Sequence, residues 1–320
     1  MREEFIPEVF SLGDNGTSKS SEMTVISRLL VGIMFCASLG SILLLNRDAF
    51  PLEAGLIYGT TNLEQGLRTL YRLSCGYLGF HAIMFWMIRN PVAGQMTPLF
   101  RESNQLQKHV TKGIERLVPF SSWTLLAFSA SMLVNGMVSL LSWTGQTPPS
   151  WIVLVGGAFF GVAFSSAALT AIIVRYVILP DMVEKQMDMD HMFLKHEQMM
   201  HNFSLIFLSI EMILGWVQLP LAMVAFGFLY GSIYLIFAEY WATRDGGYYV
   251  YEFIDTRPKM APFLLLGLVL VCAVSFSIGV FALYLRSENV VVGTIFLIVF
   301  LLLSTRFINP SKVDLSAHKE

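Results

Sequence analysis

The chain has 320 residues, of which 55% are hydrophobic and 14% charged, with a formal net charge of -2 and a mean hydropathy of +0.61. Soluble domains carry about 25% charged residues, so two soluble domains, which the length alone would allow, lack the charge to cover their surfaces. The near-neutral balance also excludes a nucleic-acid or strongly acidic partner. The apolar residues fall in long blocks, which implies an all-α, polytopic transmembrane helix bundle.

Residues 1–24 set Arg2 and Lys19 against Glu3, Glu4, Glu8, Asp14 and Glu22. A signal peptide starts basic and then turns apolar, and a mitochondrial presequence avoids acids. This segment fits neither and reads as a solvated arm ahead of an uncleaved signal anchor. Apolar spans follow at 25–45, 66–88, 119–142, 151–175, 201–217, 219–241, 261–285 and 290–308. Each is near the roughly 20 residues that cross a bilayer core, so about eight spans are expected. The fifth is short and holds Glu211, and Pro220 follows it almost at once. The fifth and sixth spans therefore form either a tight helical hairpin or one broken helix. The tail is 309–320.

Lysine and arginine cluster in the 89–118, 176–200 and 242–260 loops and near the C-terminus, while the other side keeps Arg47, Arg68, Arg72 and Arg286. The positive-inside rule then puts both termini in the cytoplasm. The Asn15-Gly16-Thr17 sequon would lie on that side and stay unmodified. The run GGAFFGVAFSSAALTA at 156–171 suits close helix packing. Cys36, Cys75 and Cys272 each sit in an apolar block without a CxxC or Cys/His cluster, so neither a structural disulfide nor a zinc site is expected, and no cofactor.

Polar groups inside a membrane protein are costly and face a bundle interior or a cavity. Ser121 and Thr124 open the third span three residues apart, and Asn135 follows on the same face, deeper in. Their hydroxyls either bond back to the helix or supply a nucleophile at the membrane boundary. His201 starts the fifth span, where it is either a solvated interfacial histidine or a general base. His191, His196 and His201 are spaced by five, which on an α-helix leaves them about 140° apart and argues against a metal. Glu211 lies ten residues beyond His201, about 15 Å deeper. It must be neutral, paired or facing a polar cavity, with His81 and Arg72 as possible partners. Tyr248 and Tyr251 follow Gly246-Gly247, either as an interfacial aromatic belt or folded back over a site by a tight glycine turn.

MMHNFSLIFLSIEMIL resembles a helix start of the androgen-induced protein family, also seen in rolling-stone-like proteins, in which a Met-His step is followed by a Glu ten residues after the His. GGYYVYEFID, PFSSWTLLAF and TLYRLSCGYLGFH resemble further elements of the same families, in the same order, across residues 66–286. The resemblance implies a six-helix core over 66–286, with the helices at 25–45 and 290–308 as additions. It implies an integral-membrane threonine hydrolase acting on fatty acid esters of hydroxy fatty acids. Carried over residue by residue, His201 is the base and Ser121 stands at the nucleophile position, a serine where the family has threonine, with Thr124 one turn on as the fallback. Tyr251 matches the motif tyrosine, although Glu252 replaces the following proline. Asn135, Glu211, Tyr248 and Tyr251 are expected around the substrate pocket.

Three expectations follow. The first is a lipid ester hydrolase in an endomembrane or the plasma membrane, with membrane lipids as partners and a fatty-acid ester as substrate. The second is a non-enzymatic multi-pass protein, a structural subunit or lipid binder. The third is a transporter that uses Glu211, Arg72 and His81 as an ion path. No third triad member, oxyanion hole or oligomeric state is legible in the sequence.

Overall fold

The computed structural model describes residues 21–44, 57–92 and 94–310. The acidic arm with its sequon, Arg47 and most of the C-terminal tail lie outside the described residues. Among them the chain is an all-α bundle, and five helices are long and apolar enough to cross a membrane: Met23–Leu44, Phe120–Trp143, Ser150–Glu184, Leu221–Thr243 and Ala261–Glu288. By length and composition this is a multi-pass membrane protein. The remaining expected spans are also helical, but each is shorter or less apolar.

In chain order, helix α1 is Ser21–Leu44. Helix α2, Asn62–His81, runs on through a π-turn at Ala82–Ile88. Helix α3 is Phe120–Trp143. Helix α4, Ser150–Ile173, continues through a π-turn at Val174–Ile178 into α5, Leu179–Glu184. The short α6, Lys195–Gln198, passes through a third π-turn, Met199–Phe203, into α7, Ser204–Leu214. Helices α8 (Val224–Thr243), α9 (Ala261–Glu288) and α10 (Val290–Ser304) complete the bundle.

Capping residues fix several ends. Thr61 accepts the Glu64 N–H at the start of α2, and the Glu64 carboxylate reaches back to the Thr60 N–H. Asn289 accepts from the Val291 and Val292 N–H groups at the start of α10. Such caps satisfy helix-end donors that have no partner within the helix. Helix α7 stops at Gly215, which adopts a left-handed φ of 71°. That conformation favours glycine, and a Cβ there would also have to displace the Arg286 guanidinium. The chain then turns through Pro220 into α8, giving the tight hairpin rather than one broken helix.

Helix α4 is buried along most of its length and forms the centre, packed by α3, α7, α8 and α9. Its small residues let neighbours approach closely. The Asn135 amide on α3 donates to the Gly156 carbonyl of α4 at 2.9 Å. Helix α1 lies on the outside against α8 and α9. It is tied at one end by Arg28 to Glu239 and by Ser27 to the Thr256 carbonyl.

Short strands, absent from the sequence reading, cross the loop after α2. Strands β1 (Gly94–Met96) and β4 (His109–Thr111) pair antiparallel. Strand β2 (Leu99–Phe100) pairs with β3 (Gln105–Leu106) and with β5 (Tyr248–Tyr249). This last pairing draws the segment after α8 back across the end of the bundle.

Deep in the bundle, Arg72 and Glu211 are fully buried and form a two-pronged ion pair. Arg72 Nε donates to Oε1 at 2.6 Å and Nη2 to Oε2 at 3.1 Å. Further Arg72 N–H groups reach the Ile57 carbonyl, the Ser139 hydroxyl and the Trp216 carbonyl. Breaking one partner of such a pair strands a charge in a dry interior, at about 3–5 kcal/mol. Arg72→Met and Glu211→Met are each expected to lose roughly that much stability in detergent unfolding, and the double Arg72→Met/Glu211→Met less than the sum. Strictly additive losses would show the pair to be uncoupled.

Candidate functional site

The three π-turns converge on one cavity of about 860 Å³. Met87, Val174 and His201, one from each turn, all line its wall. A π-turn closes i→i+5 hydrogen bonds and widens the helix locally, a distortion common at functional sites. At Val174 the cause is visible in the sequence. Pro180 lacks an N–H, and the Leu179 N–H reaches back five residues to the Val174 carbonyl. At Met199 the Ser204 N–H and hydroxyl both bond to the Met199 carbonyl.

The third π-turn changes the histidine geometry expected from an ideal α-helix. Glu197 lies between two histidines. His201 Nε2 is 3.4 Å from Oε2, and His196 Nε2 is 3.3 Å from Oε1. Five-residue spacing separates two histidines on an α-helix, but an i→i+5 turn brings them toward one side. His196 and His201 thus both reach the one carboxylate, although no group of three or more ligating side chains among the described residues is placed to hold a metal ion. Glu197 went unnoticed in the sequence. Its signal was the i,i+4 spacing to His201, a contact any helix provides.

The Glu197 carboxylate is enclosed by protein yet faces the cavity, which accounts for its partial exposure. Burial pushes its carboxyl up, but the His196 ring and the charges of His201, His196 and His191 outweigh this and hold it below the ordinary carboxylate value. Arg116 also lines this end. It is fixed by the Trp86 and Met87 carbonyls at 3.1 and 2.9 Å and feels the Glu197 charge. Asn202, next to His201, donates to the Arg306 carbonyl and accepts the Arg306 N–H. The chain following α10 thus anchors the turn that carries His201.

Ser121, at the start of α3, lines the same cavity as His201. The neighbouring Ser122 hydroxyl approaches the Met200 sulfur at 3.7 Å, so the two turns pack together. No hydrogen bond joins Ser121 to His201 among the described residues. Gly246, at φ 64°, turns the chain after α8. Tyr251 then returns to the cavity, where it packs into the cluster that holds Phe120, Tyr234 and Tyr249. Burial drives the Tyr251 phenol up to about 12. It therefore remains a protonated donor at neutral pH.

Away from this polar end the lining is largely apolar, with Val162, Leu169, Phe228, Leu268, Cys272 and Met34 of α1, interrupted by the hydroxyls of Ser165, Ser166 and Thr170 on α4. Along α4 it extends from Val162 to Ile178, about 24 Å at helical rise. The other expected site residues lie elsewhere. The Thr124 hydroxyl is 2.9 Å from that of Thr170, within the α3–α4 interface. Asn135 bonds the Ser131 and Gly156 carbonyls. Glu211 belongs to the Arg72 pair. The Tyr248 hydroxyl donates to Glu115 at 2.9 Å, and Glu115 also contacts His109 at 2.7 Å.

Comparisons with protein-family models, curated proteins and solved structures find no match to this chain.

A carboxyl held low in the folded state contributes stability above its unfolded value, near 4.3. That contribution disappears as pH falls through the folded value. Glu197 is such a group, so wild-type stability is expected to fall below about pH 4.3 more steeply than that of Glu197→Gln. Equal acid slopes in detergent unfolding would remove Glu197 from the acid response.

Proposed function

We propose that this protein is an integral-membrane lipid ester hydrolase, with Ser121 as nucleophile and His201 as general base. The observation that supports the reading is that Ser121, His201 and Glu197 all line one cavity that also has a long, largely apolar lining. An ester with an acyl chain suits that division, since its carbonyl is polar and its chain is not. The likeness of the His201 and Tyr251 segments to the androgen-induced protein family points the same way.

In this mechanism Glu197 orients the His201 ring through Nε2, and the other ring nitrogen takes the Ser121 Oγ proton. Oγ adds to the ester carbonyl carbon, and the carbon–oxygen bond to the alcohol then breaks. The alcohol leaves with the proton held by His201. Water, deprotonated by the same ring, attacks the acyl-serine, and the proton returns to Ser121 as the acid departs. Glu197 fills the orienting role that generalises the Ser-His-Asp arrangement.

The proposal includes eight spans with both termini cytoplasmic, in an endomembrane or the plasma membrane. The site end then faces the cytoplasm, where the lysine- and arginine-rich loops gather. Use of Glu211, Arg72 and His81 as an ion path is disfavoured, because Arg72 and Glu211 are already joined to each other.

The test is hydrolysis of hydroxy-fatty-acid esters by the purified protein in detergent. Ser121→Ala is expected to abolish turnover, and His201→Ala to lower kcat by roughly 10²–10⁴-fold, both with unfolding temperatures near wild type. Activity that survives Ser121→Ala and is lost in Thr124→Ala would move the nucleophile one turn deeper. A wild-type protein inert toward several lipid esters would favour a lipid-binding role without catalysis.

A further inference from the structure

Helix α8 presents two glycines to the cavity, Gly227 and Gly231. They are four residues apart and so share one face of the helix. Tyr234 follows three residues on and packs on Phe120 at the start of α3, with ring centroids 4.9 Å apart. This face therefore runs from the polar end at Tyr234, past Gly231, to Gly227 about 10 Å deeper.

The space in front of the two glycines differs. A Cβ at Gly227 would lie 3.2 Å from the Ser165 Oγ of α4 and 3.9 Å from the Cys272 Sγ of α9. All three residues line the cavity, so at this level the three helices close to within one methyl group of each other. A Cβ at Gly231 would meet no neighbouring atom within 4 Å. One turn nearer the polar end, the helices have parted. The cavity is open at Gly231 and narrows to a floor at Gly227, Ser165 and Cys272, with Val162 one turn below.

The hydroxyls along this limb are already engaged. Ser165 donates to the Gly161 carbonyl at 2.9 Å and Ser166 to the Val162 carbonyl at 2.7 Å. The Thr170 hydroxyl is paired with that of Thr124. The rest of the wall is carbon and sulfur, from Leu169, Phe228, Leu268 and Cys272. Burying methylenes against such a wall is favourable, whereas a polar group would lose its water without gaining a partner.

We infer that this limb takes the acyl chain of a lipid ester, which runs past Gly231 and ends at Gly227, Ser165 and Cys272, and that Gly231 sets the chain length accepted. That the chain belongs to an ester rests on the hydrolase reading, while its fit in the limb is measurable without turnover. A large side chain at Gly231 would project into the path of the chain. The path beyond it is one turn of α8, ~6 Å, or about four or five carbons of extended chain built from ~1.5 Å bonds.

The experiment uses the full chain in a sterol-based detergent, which has no alkyl chain to compete for the limb. The probes are non-hydrolysable ether analogues of hydroxy-fatty-acid esters, of stepwise increasing chain length. Each carries a terminal diazirine that crosslinks on irradiation where the chain ends. Wild type, Gly231→Leu and Gly267→Leu are compared. Gly267, on α9, also has open space before it but is not part of the cavity wall, so its variant adds the same side chain elsewhere. In wild type the longest chain that binds is expected to crosslink near Ser165, Gly227 and Cys272. Gly231→Leu is expected to shorten that longest chain by about four or five carbons, to bind shorter chains as wild type does, and to shift the length preference of ester hydrolysis by the same step. Gly267→Leu is expected to leave the series unchanged. Crosslinks away from the three floor residues, a series that Gly231→Leu does not shorten, or equal loss at every length would overturn the inference. If Gly231→Leu does not fold, the wild-type crosslinks decide. If the wild type hydrolyses no ester but binds by length as described, the hydrolase reading fails and the chain limb stands. If it hydrolyses esters without the length shift, the limb fails and the hydrolase reading stands.

Discussion

The Arg72–Glu211 pair is the interaction on which the arrangement depends. A charge in a dry interior must be matched where it lies, and here one guanidinium meets the carboxylate and three further acceptors. Those acceptors come from the turn before α2, from α3 and from the chain just after α7. One side chain therefore sets the depth and rotation of α7 against α2 and α3. Ten residues before Glu211, the same helix carries His201, so the buried pair also determines where the histidine enters the cavity.

The polar end of the cavity is assembled from helix ends and distorted turns. Each π-turn releases the backbone from regular spacing at the point where it meets the cavity. The start of α3, the π-turn ahead of α7 and the segment after α8 then bring Ser121, His201 and Tyr251 to one cavity. The outer helices contribute as well. Helix α1 lends Met34 to the cavity edge, and the chain beyond α10 holds Asn202. The first and last helices thus both reach the cavity or the turn that carries His201.

Electrostatics at this end are concentrated on Glu197. It is the carboxylate between His196 and His201, with Arg116 close by. Burial keeps the Tyr251 phenol protonated at neutral pH. A carboxylate held low and a neutral phenol thus line the same cavity.

Hydropathy and charge alone determined that this chain is a helical membrane protein. The bilayer leaves few options for apolar blocks of about 20 residues. The sequence also singled out Ser121, His201, Glu211 and Tyr251 as polar groups needing a reason, because burial in lipid makes such groups costly. It left Arg72 among possible partners of Glu211, and the choice between a hairpin and a broken helix at Pro220 open. Tertiary structure decided both, through long-range contacts that no local pattern encodes. It also separated Ser121 from Thr124 and Asn135, although the three share a face at helical spacing. The cavity opens at the first turn of α3, and the α3–α4 interface closes over the others. Glu197 was invisible for a related reason. An i,i+4 carboxylate is ordinary in sequence, and its place at a cavity shared with Ser121 arises only when separate helices pack together.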